Sequence, residues 1–289
     1  MTNQYIITAR EEAEINEANS YGRIPVVFVH GLWLHASSWK RWAEYFRAAG
    51  FAPLTPGWPG DPESVEAARL DPGVVAGQGV QETTDHFTAV ISQLKRQPLI
   101  IGHSLGGLIA QKLLGIGWGQ AAVAIDPAPF RGVLPLPISS IRAALPVLGN
   151  PGNRKRAVVL TPAQFRYAFT SELSQQEAAE LYRTFAIPAP GRPVFEAATA
   201  NLFPGTAASV NTRNNSRGPL LIIAGEKDHT VPVAIVRAEY RQYRTSRAIT
   251  EYRQFPGRGH SLTIDSGWRE IATYVLEWFN QRRGEKAAA

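Results

Sequence analysis

The stretch Leu99-Ile100-Ile101-Gly102-His103-Ser104-Leu105-Gly106-Gly107-Leu108-Ile109-Ala110 constrains this chain more than any other. Its aliphatic start reads as a strand buried on both faces, driven straight into a helix with a serine at the corner. Gly102-His103-Ser104-Leu105-Gly106 fits the pattern G-x-S-x-G, in which glycines flank a turn too crowded for side chains. A serine at that corner stands at a helix N-terminus, where unpaired backbone N–H groups and the helix dipole favour negative charge. Ser104 is therefore a candidate nucleophile with donors ready for the oxyanion it would form. A glycine-rich turn without chemistry fits the pentapeptide equally well, so the rest of the chain has to separate the two readings.

Further buried-strand patterns recur at residues 24–29, 121–125 and 220–225, with shorter signals at 51–56 and 249–255. Helical spacing lies between them. Trp39, Trp42, Ala43 and Phe46 share one face of a helix that Ser37 or Ser38 can cap and Gly50 ends. Residues 80–95, 233–243 and 268–279 read likewise, and the tail from Gln281 is expected to fray. Short apolar segments at Tyr5-Ile6-Ile7 and Glu14-Ile15 come first, and residues 57–79 read as an irregular loop rich in proline and glycine. This alternation predicts an α/β fold, a mostly parallel central sheet flanked by helices and joined by right-handed crossovers.

Between residues 128 and 218 the pattern changes. Prolines cluster, no strong strand appears, and helical pieces stand at 161–169 and 174–185, the second opened by Ser174 with Glu177 in capping-box spacing. The expected organisation is a core of residues 1–127 and 219–289 with an inserted helical cap of residues 128–218.

Composition narrows the partners. At 289 residues with 44% hydrophobic content, the chain can bury a large core. It has no cysteine, which excludes disulfides, a cysteine nucleophile and thiolate metal sites. Residues 1–8 lack a basic start followed by an apolar run, and no stretch approaches ~18 uninterrupted apolar residues, so a cytoplasmic protein with no membrane partner is expected. The formal net charge of +6 raises the question of nucleic acid. Its cations are scattered, however. The densest groups are Arg154-Lys155-Arg156 and the series Arg237, Arg241, Arg244 and Arg247, which reads as a solvated helix face, and no nucleic-acid partner is expected. The glycine-rich turn lacks the lysine and Ser/Thr of a phosphate loop, and no closely spaced His/Asp/Glu set appears, so neither cofactor nor metal is expected.

In open parallel sheets, ligands bind outside the carboxyl ends of the strands. Ser104, Asp126, Asp228 and His260 each follow a predicted strand and so share one sheet edge. A serine hydroxyl needs a base to take its proton, and that base needs a third group to orient it. Ser104, Asp228 and His260 supply these types in an order that differs from those of the two protease arrangements.

On these residues the chain resembles the α/β-hydrolase superfamily, over about residues 24–280. His30-Gly31 is similar to its oxyanion-loop motif, Gly102–Gly106 to its elbow, residues 225–232 to its acid loop and Gly259-His260 to its base loop. The resemblance implies that Ser104 is the nucleophile, His260 the general base and then acid, and Asp228 the group that orients His260. It also implies an oxyanion hole from the backbone N–H groups of Leu32 and Leu105, and a small-molecule ester-type substrate.

Each role has a rival. His103 and His229 adjoin nucleophile and acid, but neighbours on an elbow or strand end point away. His30 is expected to prop the oxyanion loop, and His86 to sit at the surface or be satisfied locally. His35, with Trp33, is a candidate for the pocket mouth. Asp126 competes for the acid role, which some superfamily members place there; Asp228 is preferred because Asp126 sits in a tight Asp-Pro turn. Asp265 reads as a helix cap.

Serine rather than aspartate at position 104 argues against the alkyl-enzyme chemistry of the superfamily's haloalkane dehalogenases and epoxide hydrolases. Hydrolysis of a carboxylic ester or lactone through an acyl-Ser104 intermediate is the first reading. Thioesterase, acyltransferase, C–C hydrolase and cyanohydrin lyase chemistry share the triad, and a non-catalytic hydrolase-like receptor is a reading of another class. Aromatics in or near the cap, Phe130 among them, point to an apolar pocket with Phe130 as a substrate contact.

Overall fold

Six strands, each following its neighbour in the same direction, form the centre of the molecule. The computed structural model describes residues 7–288, so the apolar segment read at Tyr5 and Ile6 lies outside the described residues. The chain runs α1 (Ala9–Ser20), β1 (Pro25–Val29), α2 (Lys40–Ala48), β2 (Ala52–Leu54), α3 (Val65–Leu70), α4 (Val80–Ser92), β3 (Leu99–His103), α5 (Leu105–Gly115) and β4 (Ala121–Ile125). Then come α6 (Ile138–Leu148), β5 (Ala157–Val158), α7 (Pro162–Phe169), α8 (Gln175–Phe185), β6 (Ala189–Pro190) and α9 (Arg192–Ala198). The chain closes with β7 (Leu220–Gly225), α10 (Val233–Gln242), β8 (Thr250–Phe255) and α11 (Trp268–Ala288).

The main sheet has the order β2-β1-β3-β4-β7-β8, with every pairing parallel. Its middle strands are apolar throughout because both faces are covered. Val26 and Phe28 of β1 point to the layer of α2 and α11, where Trp39, Trp42, Phe46, Ile271 and Val275 are buried. Val27 and Val29 point the other way, onto Phe87 of α4 and Leu108 of α5. From β1 the chain passes first to β2 on one side and later to β3 on the other, so the loops after β1 and β3 diverge. That divergence opens the crevice in which open α/β sheets place their sites.

Several elements escape the sequence patterns. α1 has few apolar residues, yet Thr8 and Glu11 close a capping box at its start. Its Glu11 carboxylate meets His86 of α4 at 3.0 Å in a buried pair, so His86 is interior rather than at the surface. The expected loop at residues 57–79 contains α3, capped by Ser64. Neither Ser37 nor Ser38 caps the helix after β1; the side chain of His35 accepts from the Ser37 N–H instead. Between β4 and β7, α6 carries Pro146 in its last turn, which disguises it as loop, and β5 and β6 pair antiparallel. The last helix runs past Gln281, where fraying is expected, to Ala288. Among the described residues no helix is long and apolar enough to cross a membrane.

Candidate active site

β3 is followed by Ser104, whose backbone stands at φ 55° and ψ −122°, a strained conformation for a residue with a side chain. The turn is over-determined by hydrogen bonds: the Ser104 N–H donates to the Ile125 carbonyl, and the Ser104 carbonyl accepts from Gly107 and Ala128, all at 2.9 Å. A Cβ at Gly102 would lie 2.0 Å from the Gly106 carbonyl oxygen, and one at Gly106 would lie 2.1 Å from that of Val29. The glycines thus let the elbow press against its own strand and against β1.

The loop after β8 brings in His260. Its Nε2 lies 3.0 Å from Ser104 Oγ and its Nδ1 lies 2.5 Å from Asp228 Oδ2. With the Nδ1 proton donated to the carboxylate, the Nε2 lone pair is free to accept from the serine hydroxyl. Asp228, in the loop after β7, is held by N–H donors from Thr230 at 2.6 Å and Val231 at 2.9 Å, both on Oδ1. All three side chains are buried.

Around this line stands a supporting set. Nε2 of His103 donates to the His260 carbonyl at 2.8 Å, and burial, with His260 beside it, holds His103 well below the usual imidazole range and therefore neutral. Arg258 pairs with Asp265 and donates to the Gly267 carbonyl at 3.2 Å, which pins the loop carrying His260 to the start of α11. Phe169 of α7 meets the His260 ring edge-on at 5.0 Å. Asp126 lies deeper and accepts from the Gly225 N–H at 2.7 Å. Burial, then the neighbouring Asp228, pushes the Asp126 carboxyl well above the ordinary carboxylate range.

The loop after β1 forms the facing wall. His30 lies 3.0 Å from Asp61, and the indole of Trp58 donates to the His30 carbonyl at 3.1 Å, so His30 props this loop as expected. Trp33 turns the chain with φ 63°. Its indole donates to Val158 at 3.0 Å, and its carbonyl accepts from Ile187 at 3.1 Å, which ties the loop to the segment between β4 and β7. Among the described residues the backbone N–H groups of Leu32 and Leu105 have no acceptor in the chain. Both residues border, with Ser104, a cavity of about 330 Å³. Its remaining walls are largely apolar, from Trp33, Leu136, Ile141, Val194 and Ile235.

A family model described as the alpha/beta hydrolase family matches residues 26–273. The chain belongs to the alpha/beta hydrolase family. Among solved structures, a monoacylglycerol lipase from Paleococcus ferrophilus is similar with a TM-score of 0.62 and 21% identity, covering 89% of this chain and 94% of that one. An extracellular alpha/beta-hydrolase from a Paenibacillus species has a TM-score of 0.65 and 17% identity, with 88% and 98% covered. A methylesterase from Arabidopsis has a TM-score of 0.61 and 17% identity, with 89% and 99% covered. At such identities the likeness is one of fold. Comparison with curated proteins returns no match.

Within this hydrolase fold, two expected pocket residues lie elsewhere. His35 does not border the Ser104 cavity: its Nδ1 accepts from the Ser37 N–H at 3.2 Å, and its Nε2 donates to the Pro62 carbonyl at 3.0 Å. Phe130 is buried against Tyr243, ring centroids 6.4 Å apart, and is core rather than pocket. Trp33 does border the cavity. His229 packs on Tyr167 at 4.9 Å.

No closely spaced metal-type set is legible in the sequence, yet folding gathers His103, Asp126 and His260 with ligand-type atoms within 4.8 Å of one another. Both His260 nitrogens are already bonded within the Ser104–Asp228 line, so metal ligation through His260 and that line exclude each other. The supporting roles of His103 and Phe169 leave no local signal, because each acts through a contact formed only on folding.

Proposed function

We propose that this chain hydrolyses carboxylic esters or lactones with an apolar acyl or alcohol part, through an acyl-Ser104 intermediate. One observation carries the reading: an unbroken buried line from Asp228 through His260 to Ser104 that opens into an apolar cavity beside two unpaired amides. Ser104 Oγ attacks the carbonyl carbon as its proton passes to His260 Nε2. The oxyanion is stabilised by the N–H groups of Leu32 and Leu105. The C–O bond to the leaving alkoxide then breaks, and His260 returns the proton to that oxygen. Water, deprotonated by the same nitrogen, attacks the acyl carbon and frees the acid and Ser104. Asp228 keeps the imidazole oriented and balances its positive charge while it holds the second proton. The lipase and methylesterase named above share the fold and carry ester substrates in their names, which supports the same substrate class here.

The test is a kinetic panel of acyl esters, lactones and thioesters of graded chain length, run with an organophosphonate active-serine probe. Wild type is expected to take the label and turn over esters. Ser104→Ala should lose labelling and on the order of 10⁵–10⁶-fold in kcat. Labelling without turnover of any acyl substrate would favour a receptor, and ester turnover that survives in Ser104→Ala would remove the mechanism.

A further inference from the structure

Between Asp126 and Glu172 the chain has six cations, Arg131, Arg142, Arg154, Lys155, Arg156 and Arg166, and not one Asp or Glu. The formal net charge of the whole protein is +6, so this stretch alone carries an excess as large as the total. All six side chains are exposed, and among the described residues none of them forms an ion pair.

The same stretch exposes aliphatic side chains at positions where burial would be expected. Leu134 is 77% exposed, Leu136 71%, Ile138 84%, Ile141 43% and Leu145 57%. Ile138, Ile141 and Leu145 follow the spacing of one face of α6, while Ala143 and Val147 are buried on its inner side. Leu136 and Ile141 also border the Ser104 cavity, so the apolar stripe is continuous with the cavity mouth. Arg142 lies on the same helix, and the turn containing Arg154 and Lys155 packs against it. Contiguous exposed apolar surface of this kind marks a place of contact.

Charge decides the occupant. A second copy docked face to face would set unpaired cations against unpaired cations with no acid between them. An anionic lipid surface satisfies both features: aliphatic side chains enter the acyl boundary and cations meet the headgroups.

We propose that the α6 face docks this protein on an anionic lipid surface, placing the cavity mouth against the apolar phase that holds its ester substrate. The absence of a long apolar run predicts no membrane partner, but peripheral docking of this kind needs no spanning segment. The docking does not depend on the proposed catalysis, whereas the delivery of substrate rests on it.

The test is flotation with vesicles of phosphatidylcholine alone or with about 30 mol % phosphatidylglycerol, at low salt and at about 0.5 M NaCl. Wild type is expected to bind the anionic vesicles at least tenfold more tightly, and to lose most of that preference at high salt. Leu134→Asp/Ile138→Asp/Leu145→Asp touches no cavity wall. It should bind at least tenfold more weakly while soluble acetate-ester turnover stays within twofold, which certifies the fold. Arg154→Gln/Lys155→Gln/Arg156→Gln should lose about tenfold or more of the preference for anionic vesicles. The proposal is overturned if wild type ignores anionic vesicles or if the aspartate variant binds as wild type does. It is also overturned if wild type forms a dimer, dispersed by those substitutions, that binds no vesicle. Vesicle binding with the stated dependence but no ester turnover would leave the docking intact and remove the catalytic reading instead.

Discussion

Asp126 and Asp228 follow neighbouring strands, and their surroundings differ. Asp228 accepts from His260, Thr230 and Val231, whereas Asp126 accepts from the Gly225 N–H and is pushed toward its protonated form by burial and by Asp228. Of the two carboxylates, Asp228 is the one hydrogen-bonded to the imidazole, at 2.5 Å. Asp228→Asn is therefore expected to lower kcat by about 10⁴-fold with the fold intact, as loss of the correct histidine tautomer does elsewhere. Asp126→Asn keeps an oxygen acceptor for the Gly225 N–H and should stay within about tenfold of wild type. Steady-state kinetics on one good ester, with circular dichroism to confirm folding, compares the two, and a larger loss at Asp126 would reverse the roles. Gly106 permits a sterner check. Any Cβ there meets the Val29 carbonyl at 2.1 Å, so Gly106→Ala should lose about 3 kcal/mol or more, read as a lowered urea midpoint or failure to fold.

Where α10 packs on α5, a buried polar cluster makes stability depend on pH. Glu239 is fully buried and accepts from Gln111 at 2.9 Å, and Gln111 in turn accepts from the Tyr243 hydroxyl at 2.9 Å. Burial raises the Glu239 pKa well above its ordinary value, with the Gln111 hydrogen bond opposing. In the unfolded chain the group ionises at about pH 4.3, so above that pH the folded state binds more protons and stability falls as pH rises. Glu239→Gln keeps the shape and removes the charge. Its thermal midpoint should match wild type near pH 4 and exceed it by about 2 °C or more at pH 8, in a scan at the two pH values. Equal midpoints at pH 8 would show that Glu239 ionises in the fold without penalty.

The whole molecule joins two surfaces that are distant in sequence: the strand ends carrying Ser104, Asp228 and His260, and the helices α6 and α9 that close the cavity over them. Ala144 of α6 borders that cavity, and a large side chain there would shorten it. Ala144→Trp is expected to cut kcat/KM for an octanoate ester by about tenfold or more while sparing the acetate ester. A uniform loss across chain lengths would place the acyl chain elsewhere.

By itself the sequence determined the parallel sheet and the glycine-flanked turn at Ser104, because an apolar run buried on both faces and a serine between glycines are local patterns with few structural solutions. It also brought Ser104, Asp126, Asp228 and His260 to one place, because each follows a strand and all strands of a parallel sheet end on one edge; the choice of Asp228 over Asp126 came from the family resemblance of its loop and from the tight Asp-Pro turn at Asp126. Tertiary structure alone decided the rest. His35 looked like a pocket residue until its two nitrogens met the Ser37 N–H and the Pro62 carbonyl, and Phe130 until it packed on Tyr243. The partnership of His103 with the His260 carbonyl spans 157 residues, beyond any local signal. Ile138 and Leu145 stand in a stretch whose clustered prolines hide a helix, and only the packing of α6 shows that they face outward. The physical reason is common to these cases: local patterns specify an element and its apolar face, but what that face meets is set by the remainder of the chain.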